Sequence, residues 1–132
     1  MRDVSIRAVS DGGLAMQVSV GAHTFRSDEP FDVGGTDTGP MPSELLLAAV
    51  GACEAITLRM YAARKGWTLS DVRVRLTAAT VDGVYVIKRH LELEGDLDSD
   101  QRARLHDIAT RCPVQRAITG EVRVEAWEGA TP

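Results

Sequence analysis

The stretch Pro42-Ser43-Glu44-Leu45-Leu46-Leu47-Ala48-Ala49-Val50-Gly51-Ala52-Cys53-Glu54-Ala55-Ile56-Thr57-Leu58-Arg59-Met60-Tyr61-Ala62-Ala63-Arg64-Lys65 decides how this chain folds. From Leu45 to Cys53 no polar side chain appears on any face. A surface helix shows an apolar stripe, whereas one that is apolar all round is expected to be buried on every side. Pro42 suits the first helical position, where its missing N–H costs nothing, and Glu44 falls in the first turn, where the helix dipole favours a carboxylate. Arg64 and Lys65 stand in the last turn and Gly66 at the usual stop position. As one helix the stretch would run about 36 Å, at roughly 1.5 Å per residue, the diameter of a small domain. So short a chain has little else with which to cover it, which predicts a second copy as the cover.

Outward from this helix the pattern changes to alternation. Val4, Ile6 and Ala8, a turn at Asp11-Gly12-Gly13, then Leu14, Met16, Val18 and Val20 predict two strands with one buried face, and His23–Ser27 a short third. From Asp28 to Met41 periodicity stops in a turn-rich loop, which reads as a flexible connector or as a lid into the long helix. It holds no G-K-[ST], so a phosphate-cradling loop is not supported.

Beyond Gly66 the strongest turn signal in the chain, Asp82-Gly83, predicts a type I′ hairpin. That turn places Val72, Val74, Leu76 and Ala78 opposite Leu93, Leu91, Arg89 and Ile87 on one face, with Arg73 opposite Glu92 and Arg75 opposite His90 on the other. Arg89 alone interrupts the apolar face. Asp98 and Gln101 form a capping box for a second helix, whose Leu105, Ile108, Ala109 and Cys112 recur at helical spacing. Pro113 begins a short helix that Gly120 ends, and Val122, Val124 and Ala126 predict a final strand. The order is that of an α+β fold, one domain over residues 1–132, with a mainly antiparallel sheet packed on the long central helix.

The 132 residues carry a net charge of −4, with 44% hydrophobic and 26% charged side chains, and the pI is near 5.3. This balance argues against nucleic acid or a membrane as partner. The uncharged run is too short to span a bilayer, and the start Met1-Arg2-Asp3-Val4 lacks an apolar signal core, so a cytoplasmic protein is expected. The two cysteines, Cys53 and Cys112, form neither C-x-x-C nor a zinc set. In a reducing compartment any bond between them would be transient.

A buried cysteine often does no more than fill space. Here Cys53 stands where the apolar run meets Glu54, and Cys112 precedes a proline at a helix junction, beside backbone N–H groups that favour a thiolate. The segments Pro42–Cys53 and Cys112–Val122 resemble the two cysteine motifs of the OsmC/Ohr family of thiol-dependent hydroperoxide reductases and related proteins. The resemblance implies an intertwined homodimer whose long helices are enclosed by sheets from both subunits. It implies Cys53 as the attacking thiolate and Cys112 as its resolving partner, with a small hydroperoxide as substrate. It also implies an external dithiol, of lipoyl type in one branch, as reductant, and no metal or organic cofactor.

The family's peroxidases carry Asn-Pro-Glu at the helix start, where this chain has Met41-Pro42-Ser43, its acid falling one residue later at Glu44. Glu44 is the candidate acid, and Arg7, Arg26 and Arg89 are candidates for the arginine that would support the thiolate. A second function class remains beside the peroxidase: a dimeric protein of the same fold that holds a small apolar or thiol ligand between subunits.

Overall fold

Alternating side chains form a three-stranded antiparallel meander at the start of the chain, in a computed structural model that describes residues 1–127 and 129. Its strands are β1 (Val4–Ala8), β2 (Met16–Val20) and β3 (His23–Ser27). Register runs Val4↔Val20 and Ile6↔Val18 in the first pair, Val18↔Phe25 and Val20↔His23 in the second. Gly21, at φ 58°, makes the tight reversal between β2 and β3. The chain gathers into two units, Met1–Ala48 with this meander and Ala49–Pro132 with the hairpin and later helices.

Within the first unit the turn-rich loop is not a slack connector. Its anchor is Asp28, which is buried. Asp28 Oδ1 accepts from Glu29 N at 2.8 Å, and Oδ2 accepts from the hydroxyls of Thr36 at 2.8 Å and Thr38 at 2.7 Å. Oδ2 also accepts from Thr38 N at 3.1 Å. These donors hold the Asp28 carboxyl far below its ordinary range, the Thr38 hydroxyl contributing most and burial opposing. At Gly35 a Cβ would collide with the backbone of Glu29, so the loop closes on itself more tightly than any side chain permits.

The long helix α1 spans Pro42–Lys65, 24 residues, as its caps and composition require. In the second unit it packs on a two-stranded antiparallel ribbon, β4 (Asp71–Val81) and β5 (Val84–Glu94). The ribbon has the expected register, Val72↔Leu93, Val74↔Leu91, Leu76↔Arg89 and Ala78↔Ile87, turning at Asp82 (φ 49°) and Gly83 (φ 78°). Helix α2 (Ser99–Ala109) begins at the Asp98 cap with both capping-box bonds in place. The core of this unit joins Leu58 and Ala62 of α1 to Leu91 and to Leu105, Ile108 and Ala109. Arg102 donates to the carbonyls of Leu93 at 2.9 Å and Gly95 at 3.1 Å, tying α2 to the end of β5. A last short helix, α3, spans Pro113–Thr119.

One expectation is corrected. Residues 121–127 are exposed and form no strand, because strand pairing needs a neighbour and none is offered among the described residues. Helix α1 lacks full cover within one chain, as its all-round apolar run leads one to expect. Its buried positions Val50, Gly51, Glu54, Leu58 and Ala62 make a stripe, while Leu46, Ile56 and Met60 face outward. By length and composition alone α1 could cross a membrane. Yet its buried stripe carries a charged residue held against the ribbon, as in a core helix.

Candidate thiol site

Val50, Glu54, Leu58 and Ala62 recur every four residues, so Glu54 occupies the stripe of α1 that faces the ribbon. Gly51 lets the two elements close up: a Cβ there would meet Leu76 Cδ1 at 2.7 Å. Leu76 pairs with Arg89 across the ribbon, so the contact that seats Leu76 on Gly51 also aims Arg89 at the next turn of the helix. Arg89 Nε lies 2.9 Å from Glu54 Oε1. The carboxylate is fully buried, and the guanidinium is 24% exposed.

The separation is that of an ion pair, but the Arg89 N–H does not point along it, so neither Glu54 oxygen receives a hydrogen bond. Desolvation pushes the Glu54 carboxyl above its ordinary range, and the Arg89 charge opposes that shift. A buried acid without donors, one residue from a cysteine, is a costly arrangement for structure alone.

Cys53 is half-buried on α1 and Cys112 is fully buried. Both are free thiols. Cys112 is the N-cap of α3, and its Sγ accepts from Gln115 N at 3.4 Å. That donor lowers its pKa, as the helix junction predicts. Burial outweighs it and raises the Cys112 thiol, with Cys53 and the Glu54 charge pushing the same way. The expectation that the helix N-terminus makes Cys112 a ready thiolate is therefore corrected: desolvation, with the Cys53 contact and the Glu54 charge, wins over one N–H. The same facts show that the structure brings Cys53, Glu54 and Cys112 together despite their separation in sequence.

Among the other candidates, Glu44 is exposed, and its Oε2 accepts from Met41 N at 2.9 Å, a cap for the first turn of α1. Arg7 and Arg26 are exposed on β1 and β3 and make no ion pair among the described residues. Of the three arginines, Arg89 is the one with a carboxylate at a cysteine. Glu54 is the residue that reading the sequence missed as an acid of the site. Its signal was a charge on an otherwise apolar stripe, matched by Arg89 on an otherwise apolar strand face. Among the described residues no group of His, Cys, Asp and Glu could hold a metal ion.

Comparison with known proteins bears on the family and the fold. A family profile described as OsmC-like protein matches residues 35–126. The chain is similar to the uncharacterized protein YmaD of Bacillus subtilis (strain 168), at 24% identity over 131 aligned residues, covering 91% of this chain and 81% of that one. An OsmC-like protein from Mycoplasma pneumoniae shares the fold with a TM-score of 0.74 at 21% identity, covering 91% of this chain and 88% of that one. The organic hydroperoxide resistance protein OhrB of B. subtilis superposes with a TM-score of 0.59 at 23% identity, covering 88% of each chain.

Proposed function

The chain belongs to the OsmC-like family, and on that premise we propose that it is a thiol-dependent peroxidase for organic or other small hydroperoxides, acting in hydroperoxide stress. The observation that carries the reading is the meeting of two free thiols with a buried Glu54–Arg89 pair. Cys53, the more accessible thiol, attacks the peroxide O–O bond as thiolate. It becomes a sulfenic acid while the alcohol departs. The Cys112 thiol then condenses with it, forming the disulfide and releasing water. An external dithiol, lipoyl-type compounds included, exchanges with that disulfide and leaves as its own disulfide.

Arg89 is the cation of the site. A carboxylate beside a thiolate is repulsive, so Glu54 helps by holding Arg89 in place rather than by its own charge. Raising Cys112 keeps the second sulfur protonated at rest and leaves Cys53 to meet the peroxide first. The outward Ile56 and Met60 of α1 and the exposed Val122 and Val124 fit a homodimer, as the family resemblance implies.

The test is consumption of cumene hydroperoxide with a dithiol reductant by wild type, Cys53→Ser and Cys112→Ser. Turnover abolished in Cys53→Ser, with a trappable sulfenic acid in Cys112→Ser, is the expected result. No turnover above free dithiol in wild type would overturn the proposal and leave the ligand-holding dimer as the reading of the fold.

A further inference from the structure

At the C-terminal end of α1, away from the sulfurs, Tyr61, Arg64 and Lys65 join Arg104 of α2 around a pocket of about 390 Å³. Arg64 Cζ lies 5.8 Å from the Tyr61 ring centroid, Lys65 Nζ 5.7 Å and Arg104 Cζ 5.7 Å. Three cations thus share one aromatic ring, each within cation–π range. Trp67 fixes the ring edge-on, at 5.6 Å between centroids and 71° between planes. Arg104 Nε donates to Tyr61 Oη at 3.0 Å, which leaves the phenolic proton free to point into the pocket.

Cations at a helix C-terminus complement its dipole, and that accounts for Arg64 and Lys65 as a pair of residues on α1. It does not account for Arg104. That side chain belongs to another helix, has Asp107 Oδ2 at 3.0 Å on its own, and still reaches across to Tyr61. Arg64 and Lys65 make no ion pair among the described residues. On a chain of net charge −4 the pocket is a local surplus of positive charge with a hydroxyl donor at its centre.

We propose that this pocket binds a small phosphate monoester, with the Arg64 and Arg104 guanidinia, the Lys65 ammonium and the Tyr61 hydroxyl as its donors. A tetrahedral dianion has acceptors enough for all four, and a guanidinium fork meets two phosphate oxygens at once. The volume exceeds that of a bare phosphate, so there is room for the carbon skeleton that bears it. The site does not depend on thiol chemistry, and its occupancy can be read with the cysteines untouched.

The experiment is calorimetric titration of the full chain with glycerol 3-phosphate, inorganic phosphate and sodium chloride at matched ionic strength. Saturable binding of the monoester, tighter than inorganic phosphate and absent with chloride, is expected. Arg64→Ala with Lys65→Ala removes two exposed side chains, and each lost charge-assisted contact should weaken binding by about tenfold. Tyr61→Phe, which keeps the ring, should weaken it by about threefold to tenfold. Should the double variant melt early, Arg104→Gln supplies the same comparison. No saturable heat with the monoester, or binding unchanged in these variants, would overturn the proposal.

Discussion

Arg89 Nε stands 2.9 Å from Glu54 Oε1, a largely buried cation set against a carboxylate with no access to water. The pair joins the ribbon to the long helix at the turn that carries Cys53. Removing Arg89 strands a buried charge, so Arg89→Met should cost about 3 kcal/mol at neutral pH. Because desolvation raises the folded Glu54 pKa above its unfolded value, the folded state gains the proton first as pH falls. The stranded charge is then neutralised, and the penalty in Arg89→Met should shrink between pH 7.5 and pH 5, while wild type changes less. Urea melts of both proteins at the two pH values check this. A penalty independent of pH would mean that Glu54 is not the group that Arg89 compensates.

Glu44 is expected to matter for stability and not for chemistry. Its carboxylate is occupied at Met41 N and exposed. Loss of such a cap costs about 0.5–1 kcal/mol. Glu44→Gln should therefore lower the melting temperature by a few degrees at most, and leave the peroxide rate per folded molecule within a factor of about two. A rate loss of a hundredfold with the fold intact would place Glu44 in the reaction after all.

The Asp28 anchor predicts a loop that resists acid. Its carboxyl is held far below the ordinary range, so its stabilisation is fully present above the unfolded pKa of about 3.9 and is lost only as pH falls toward the depressed folded value. Asp28→Asn keeps the size and removes the charge that Thr36 and Thr38 donate to. The amides of Thr36 and Thr38 should exchange at least about tenfold faster in the variant. Equal exchange would show that the glycine packing alone holds the loop.

An outward apolar face on α1 predicts self-association. Ile56 is 58% and Met60 63% exposed, and Trp127 near the end is 69% exposed. Sedimentation equilibrium at micromolar concentration should give twice the 14.3 kDa chain mass. Ile56→Glu with Met60→Glu should shift the species to monomer. A wild-type monomer at that concentration would refute the expectation.

Much of this was legible in residue order. Pro42 and Gly66 bracket the helix where it occurs, Asp82-Gly83 fixes the ribbon register pair by pair, and Asp98 with Gln101 caps α2 as a local rule demands. Such signals act within a few residues, so a single chain displays them. The site was legible in its sulfurs but not in its acid. Glu44 is marked by the OsmC/Ohr resemblance, which implies an acid near the helix start, whereas Glu54 is marked only by its place on the buried stripe. Seeing that mark requires knowing which face of α1 meets the ribbon and which residue Arg89 opposes, and both are long-range facts. The final strand fails for the opposite reason: the alternation of Val122, Val124 and Ala126 is genuine, but pairing is a property of two segments.

The sulfur of Cys112 also closes the first turn of α3, where it receives the Gln115 amide. With only seven residues, α3 is too short to hold its shape by intrinsic preference, so its start depends on that acceptor. Drawing the sulfur into a bond with Cys53 would replace its S–H by an S–S bond and change the acceptor's direction at the same moment. The turn then becomes a gauge of oxidation, one that converts an event on a single atom into a backbone change readable from outside. The Gln115 amide resonance should move when wild type is treated with peroxide and stay where it is in Cys53→Ser.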